Sequence, residues 1–174
     1  MNKQLLEHSI DVASLSTNIA YEMGLCPYAV TQIGISALYH DIGKECLPKV
    51  ILEKKGKLSD KEKKIMTFHT YMGNAILNLL NEDISEIASE VALNHHEHYD
   101  GTGYYKKRYD EVSLATRIIT VADVYSALIA ERVYRPAWSE EDALFYMRDN
   151  AGTMFDSTVV SALLVVLDGS KTIM

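Results

Sequence analysis

The sequence predicts an all-α fold, a compact bundle of about seven helices, and three observations carry that expectation. Apolar residues return every three or four positions through most of the chain. No stretch alternates with period two for long enough to propose a sheet, and helix start and stop signals punctuate the periodic segments. With 48% hydrophobic and 24% charged residues, 3 prolines and 9 glycines, the chain has globular composition and little linker material, so residues 1–174 read as a single domain.

The first helix is expected from Lys3 to Met23, ended by Gly24. The second starts at Pro27, a residue suited to a first turn, and runs toward His40, closed by Gly43. Leu47 to Leu58 reads as irregular. Ser59 with Glu62 three residues later makes a capping box that opens a third helix, reaching about Leu80. A fourth follows from Ile84 to about His98. Tyr99 to Glu111, with Asp100-Gly101 and Gly103 among tyrosines and basic residues, is a turn-rich loop. A fifth helix spans Val112 to Glu131. Ser139 with Asp142 caps a sixth that stops at Gly152, and Asp156 caps a seventh that runs through Leu167.

Several function classes fall away early. The longest apolar stretch, Val159 to Leu167 with Ser161 inside it, is far short of the roughly 20 residues that span a bilayer, so no membrane helix is expected. Met1 to Ile10 lacks the pattern of a secretory signal, and Cys26 and Cys46 show no metal-knuckle or redox spacing; a reducing cytoplasm is the expected location. A net charge of -7 argues against a nucleic-acid polymer as partner. Between Lys44 and Lys64, however, eight lysines face Glu45, Glu53, Asp60 and Glu62, a locally basic stretch suited either to steering a small anion or to plain solvation. No GxxxxGK[ST] phosphate loop is present.

The chemistry lies in polar residues placed on apolar faces. In the first helix Leu5, Val12, Leu15 and Ile19 form a stripe, and His8 falls on it. In the third, His69 shares a face with Ile65, Met72, Ile76 and Leu80; in the fourth, Ile84, Ala88 and Val91 lead to His95, with His96 beside it. Asp123 lies in an apolar run of the fifth helix, and His40-Asp41 follows Ile35, Ala37 and Leu38. One such histidine would be an ordinary hydrogen-bonded core residue. Repetition changes the reading, because buried carboxylates and imidazoles without partners cost several kcal/mol in total or change protonation. The first four helices contain no arginine, and Lys44 is one charge for two aspartates.

Divalent metal ions answer that cost. Imidazole nitrogen and carboxylate oxygen suit iron, manganese, zinc or cobalt, and Asp41 can bridge two ions with its two oxygens. Two divalent ions are expected; this donor set leaves iron, manganese, zinc, cobalt and nickel open, and the ranking of iron or manganese first comes only with the family resemblance below. Such a pair, roughly 3.5 to 4 Å apart, acidifies a bridging water, aims the hydroxide at phosphorus and stabilises the phosphoryl oxygens, which makes phosphoester hydrolysis the reaction class. Lys44 either contacts phosphate oxygens or complements a helix C-terminus.

At His40-Asp41-Ile42-Gly43-Lys44 the chain resembles the HD metal-dependent phosphohydrolase superfamily, and its resemblance to the HD-GYP branch is stronger still. His95-His96-Glu97, then Tyr99 to Tyr104 as YDGTGY, Arg117 to Leu128 as RIITVADVYSAL, Arg132 to Pro136 as RVYRP, and Gly152 to Val160 as GTMFDSTVV, follow that family's order over nearly the whole chain. The resemblance implies an HD core with a lid loop over residues 1–130, extra C-terminal helices over 131–174, and hydrolysis of cyclic di-GMP to pGpG or GMP. It implies that His8, His40, Asp41 and Asp123 hold one metal, and that Asp41 bridges to a second held by His69, His95 and His96. Asp41 and Lys44 would serve catalysis, and Lys44, Tyr104, Ser126, Arg132 and Arg135 would face the substrate.

This chain also departs from the family pattern. Gln4 stands where some members carry a glutamate for a third metal, so two ions are expected. The GYP triplet reads Gly103-Tyr104-Tyr105, without the proline that stiffens φ, so a less ordered loop is expected. Ser126 replaces a second aspartate, and Val133 interrupts the RPYR segment. His98 is assigned no role. Ser126 and Tyr105 motivate an alternative, a weakly active or inactive cyclic di-GMP receptor or adaptor; a third reading is an HD phosphohydrolase acting on another nucleotide phosphoester. The expected partners are a cyclic dinucleotide, a regulatory or signalling protein, and a second copy in a homodimer.

Overall fold

The computed structural model describes residues 3–80, 83–131 and 136–171. Among them, eight α-helices follow in order: α1 (Lys3–Glu22), α2 (Pro27–Tyr39), α3 (Lys49–Leu52), α4 (Asp60–Asn78), α5 (Asp83–Asn94), α6 (Leu114–Ile129), α7 (Glu140–Asp149) and α8 (Ser157–Lys171). No strand occurs among the described residues, and the all-α expectation matches. The helix beyond the seven expected is α3, a single turn after Pro48 inside the segment read as irregular. A four-residue turn is too short to carry an apolar stripe, so periodicity passes over it.

Most ends sit where the capping chemistry puts them. After α1, Gly24 takes φ 76, and the amides of Gly24 and Leu25 donate to Tyr21 and Ala20 carbonyls at 2.9 and 3.1 Å, a Schellman closure. Ser59 accepts from the Glu62 amide while the Glu62 carboxylate accepts from the Ser59 amide, completing the expected capping box of α4. Ser113 and Ser139 cap α6 and α7, which moves the start of α6 two residues past the expected Val112. Asp156 accepts from the Thr158 amide at 2.9 Å at the start of α8, and its other oxygen accepts from Arg117 of α6 at 2.6 Å. The fourth expected helix ends early: α5 stops at Asn94, so His95 to His98 lie beyond it.

The core centres on α6. Ile118, Ile119, Val121 and Ala122 are fully buried, and Val12 and Ile19 of α1, Val91 of α5, Met147 of α7 and Leu163 of α8 pack in the same cluster. Each large aliphatic side chain buried there contributes roughly 1.5–3 kcal/mol. No described helix is long and apolar enough to cross a membrane.

Gly43 has a different reason from the expected one. It is not a left-handed helix stop; it lies in a 3-10 segment, Ile42–Cys46, pressed against the backbone of α4. A Cβ on Gly43 would stand 1.9 Å from the His69 carbonyl oxygen and 2.4 Å from the Gly73 amide nitrogen. That contact draws Asp41 and Lys44 against the His69 turn of α4.

Three outcomes follow from these contacts. Ser59→Ala removes the α4 cap and lowers stability by about 1 kcal/mol in denaturant titration. Hydrogen bonds from Lys54 and Ser59 hold the Glu62 carboxyl down to about 2 from 4.5. Its folded value lies below its unfolded one, so its contribution is present above about 4.5 and is lost as pH falls toward about 2. Glu62→Gln therefore destabilises at neutral pH, and the gap to the parent chain closes through that acid range; a gap independent of pH would contradict the cap. Separately, Gly43→Ala forces the 3-10 segment off α4 and costs on the order of 3 kcal/mol; an unchanged unfolding midpoint would contradict the close approach.

Candidate metal centre

Five segments deliver the site. His8 comes from the inner face of α1 and His69 from α4, where it is 1% exposed. His40 and Asp41 follow α2 directly and are also buried. His95 and His96 stand in the turn after α5, and Asp123 projects from α6. Three overlapping groups of ligand atoms form within 4.8 Å: His8, His40 and Asp41; His40, His95 and Asp123; and His69, His95 and His96. The structure thus brings together every sequence-predicted ligand.

Backbone contacts orient the rings. Nδ1 of His40 faces the Ala37 carbonyl at 2.7 Å, Nδ1 of His69 faces the Met66 carbonyl at 2.6 Å, and Nδ1 of His95 faces the Val91 and Ala92 carbonyls, each at 3.1 Å. A carbonyl only accepts, so the ring proton sits on Nδ1 and, in a neutral ring, Nε2 presents a lone pair. Those lone pairs point at one another and at Asp41. His69 Nε2 is 3.4 Å from His95 Nε2, and the two are 3.3 and 3.7 Å from Asp41 Oδ1. The other oxygen, Oδ2, is 3.3 Å from His40 Nε2 and pairs with the Lys44 ammonium. Asp123 Oδ1 lies 2.8 Å from His8 Nε2 and 3.9 Å from His40 Nε2.

Burial pulls His69 and His95 below the usual histidine range, and nearby positive groups, Lys44 at His69 and His96 and His40 at His95, add to it. Burial likewise drives His96 down to about 4. Burial works against ionisation of Asp41 as well, yet Lys44 and His40 outweigh it and hold the carboxyl well below its usual range. Asp123 is also lowered, burial being overcome by the His8 hydrogen bond and the charge of His40. For His40 the balance runs upward, because Asp41 and Asp123 more than offset burial.

At neutral pH, then, His69 and His95 aim bare lone pairs at an ionised carboxylate with no proton between them. Asp41 Oδ1 and His40 Nε2 are buried without a hydrogen-bond partner. Acceptors converge this way when a cation belongs among them. Ligand atoms about 2.1 Å from one ion stand about 3.0 to 3.4 Å apart, and the separations here, from 2.8 Å between His8 and Asp123 to 3.9 Å between His40 and Asp123, bracket that spacing. The residues present fit a divalent metal.

The expected substrate-facing residues divide. Lys44 is partly exposed at the rim of the cluster, and Tyr104 lies against His96 with ring centres 4.7 Å apart. Its phenol is pushed up by burial and by the charges of Asp41 and Asp123. Ser126 is buried on α6 one turn past Asp123. Arg132 and Arg135 lie outside the described residues, as does the side chain of Gln4.

Supporting residues escaped the sequence reading. Thr120 donates to the His95 carbonyl at 2.9 Å, fixing α6, and hence Asp123, against the histidine turn. Glu97 is buried and accepts from the amides of Tyr105 and Lys107 at 2.6 and 2.8 Å. Gly103 packs on that segment so closely that a Cβ would meet Glu97 Cα at 2.5 Å. His98, assigned no role, donates from Nδ1 to the Thr102 hydroxyl at 2.8 Å, and that hydroxyl donates to Asp100. The loop expected to be loosely ordered is therefore pinned at several points. The adjacency of Glu97 to two histidines was a signal available in the sequence; the hydroxyl of Thr120 carried none.

Comparison with known proteins gives a consistent picture. The HD domain family model matches residues 1–159. The cyclic di-GMP phosphodiesterase response regulator RpfG of Xanthomonas campestris is 38% identical over 160 residues, covering 91% of this chain and 42% of that protein. The 3'3'-cGAMP-specific phosphodiesterase 3 of Vibrio cholerae is 38% identical over 162 residues, covering 92% of this chain and 35% of that protein. The chain thus spans less than half the length of these relatives. In fold it is similar to Bd1817, a HDG"Y"P protein from Bdellovibrio bacteriovorus, with TM-score 0.73, 18% identity, and coverage of 94% of this chain and 52% of that one. The motif order, the converging imidazoles and the matched family model lead to one conclusion: the chain belongs to the HD domain family.

Proposed function

We infer that this chain is a metal-dependent phosphodiesterase that hydrolyses cyclic di-GMP to linear pGpG or GMP. The observation that carries the reading is Asp41, whose Oδ1 faces His69 and His95 while its Oδ2 faces His40, with Asp123 also facing His40. In this reading His8, His40, Asp41 and Asp123 would hold one ion, and Asp41, His69, His95 and His96 would hold a second, iron or manganese in each. When bound, such a pair supplies Lewis acidity toward phosphoryl oxygens and acidifies the attacking water. Water adds to phosphorus, a P–O bond to a ribose oxygen breaks, and that oxygen leaves with a proton.

The chain's own groups do the rest. Lys44 offsets the charge of Asp41 and keeps further N–H donors for a phosphoryl oxygen, where charge grows in the transition state. Tyr104, held protonated, offers an O–H beside His96 and narrows the mouth of the site. Ser126, Arg132 and Arg135 are assigned to the substrate from their motif positions. A second reading, hydrolysis of 3'3'-cGAMP, is favoured by the relative named for it, which is as similar to this chain as RpfG.

The test is turnover by protein loaded with Mn²⁺ or reduced iron. Cyclic di-GMP is expected to give pGpG or GMP with a higher kcat/KM than 3'3'-cGAMP. Loaded protein with no turnover on any cyclic dinucleotide would overturn the activity, and the reverse preference would move the assignment to cGAMP. Asp41→Ala is expected to lose at least one of the two ions by metal analysis and at least about 100-fold in turnover, more than the loss of an outer-shell partner. Unchanged stoichiometry would contradict the bridge.

A further inference from the structure

The position after Tyr104 is where the family's proline would stand, and here it makes two bonds that a proline cannot. The Tyr105 amide donates to Glu97 Oε1 at 2.6 Å, and its hydroxyl meets Thr70 Oγ1 at 2.7 Å. Thr70 is fully buried on α4, next to His69, and its hydroxyl proton goes to the Thr67 carbonyl at 2.8 Å. Tyr105 is therefore the donor in that pair. Lys106 takes φ 60, which turns the amides of Tyr105 and Lys107 onto the same carboxylate. A non-glycine backbone held in that region is strained and persists only when its surroundings fix it.

The two anchors of Tyr105 lie on the segments that carry His69 on one side and His95-His96 on the other. We propose that Tyr105 is a positioning residue, a strap that joins the loop to α4 and to the histidine turn and so holds Tyr104 against His96 over the site. Hydrogen bonds at both ends do the work that ring stiffness would do in a proline. This inference rests on the phosphodiesterase reading for its effect on substrate, but not for the strap itself.

Hydrogen exchange of the full chain tests the strap without any activity. Tyr105→Phe and Thr70→Val are each expected to speed amide exchange over Tyr105 to Lys107 by three- to tenfold, with the double variant no faster than either single one. Unchanged exchange in Tyr105→Phe, or independent effects that multiply in the double variant, would overturn the strap. With Mn²⁺-loaded protein and cyclic di-GMP, Tyr105→Phe is expected to raise KM three- to tenfold with kcat within twofold. A fall in kcat at constant KM would overturn the positioning role. If the parent protein turns over no dinucleotide while the exchange pattern holds, the function fails and the strap stands.

Discussion

The Nδ1 proton of each central histidine is committed to a carbonyl one helical turn back, and this commitment fixes everything at the site. It leaves Nε2 of His40, His69 and His95 directed inward, toward an aspartate that is itself ionised. At His69 and His95, whose pKa values burial lowers, neutral rings with inward lone pairs form a poor core and a good ligand set. The surrounding helices pack so that this set stays together. Gly43 lets the Asp41 segment touch the backbone of α4, and Thr120 ties α6 to the carbonyl of His95. A bundle designed for stability alone would fill these positions with aliphatic side chains.

Charge at the site is balanced locally. Lys44 is the one lysine that pairs with Asp41 among the described residues, and its position in the 3-10 segment keeps the ammonium at the solvent side. The rest of the basic stretch between Lys44 and Lys64 supports structure, as where Lys54 joins the α4 cap through Glu62. Above the site, the loop owes its order to Glu97, which neutralises two backbone donors at once, and to Gly103, which permits the approach. Tyr105 is held in that loop by its amide on Glu97 and its hydroxyl on Thr70.

Much of this was legible in the chain before any coordinates. Polar residues recurring on apolar stripes marked His8, His69, His95 and Asp123, because helical periodicity and burial together are a strong signal. Serine caps at Ser59 and Ser139 were equally readable, being local chemistry. What periodicity could not show was tertiary in origin. The purpose of Gly43 depends on the backbone of a helix some thirty positions away, about eight turns of α-helix in sequence. The early stop of α5 places His95 and His96 on a turn, which lets both rings face inward where a continuing helix would splay them by about 100°. The strap from Tyr105 to Thr70 joins two residues that no spacing rule relates.

Anomalous diffraction from crystals grown with Mn²⁺ tests the central claim most directly. The account predicts two peaks flanking the Asp41 carboxylate, one among His8, His40 and Asp123 and the other among His69, His95 and His96. Strong peaks confined to surface carboxylates, or no peak within bonding distance of Asp41, would contradict it.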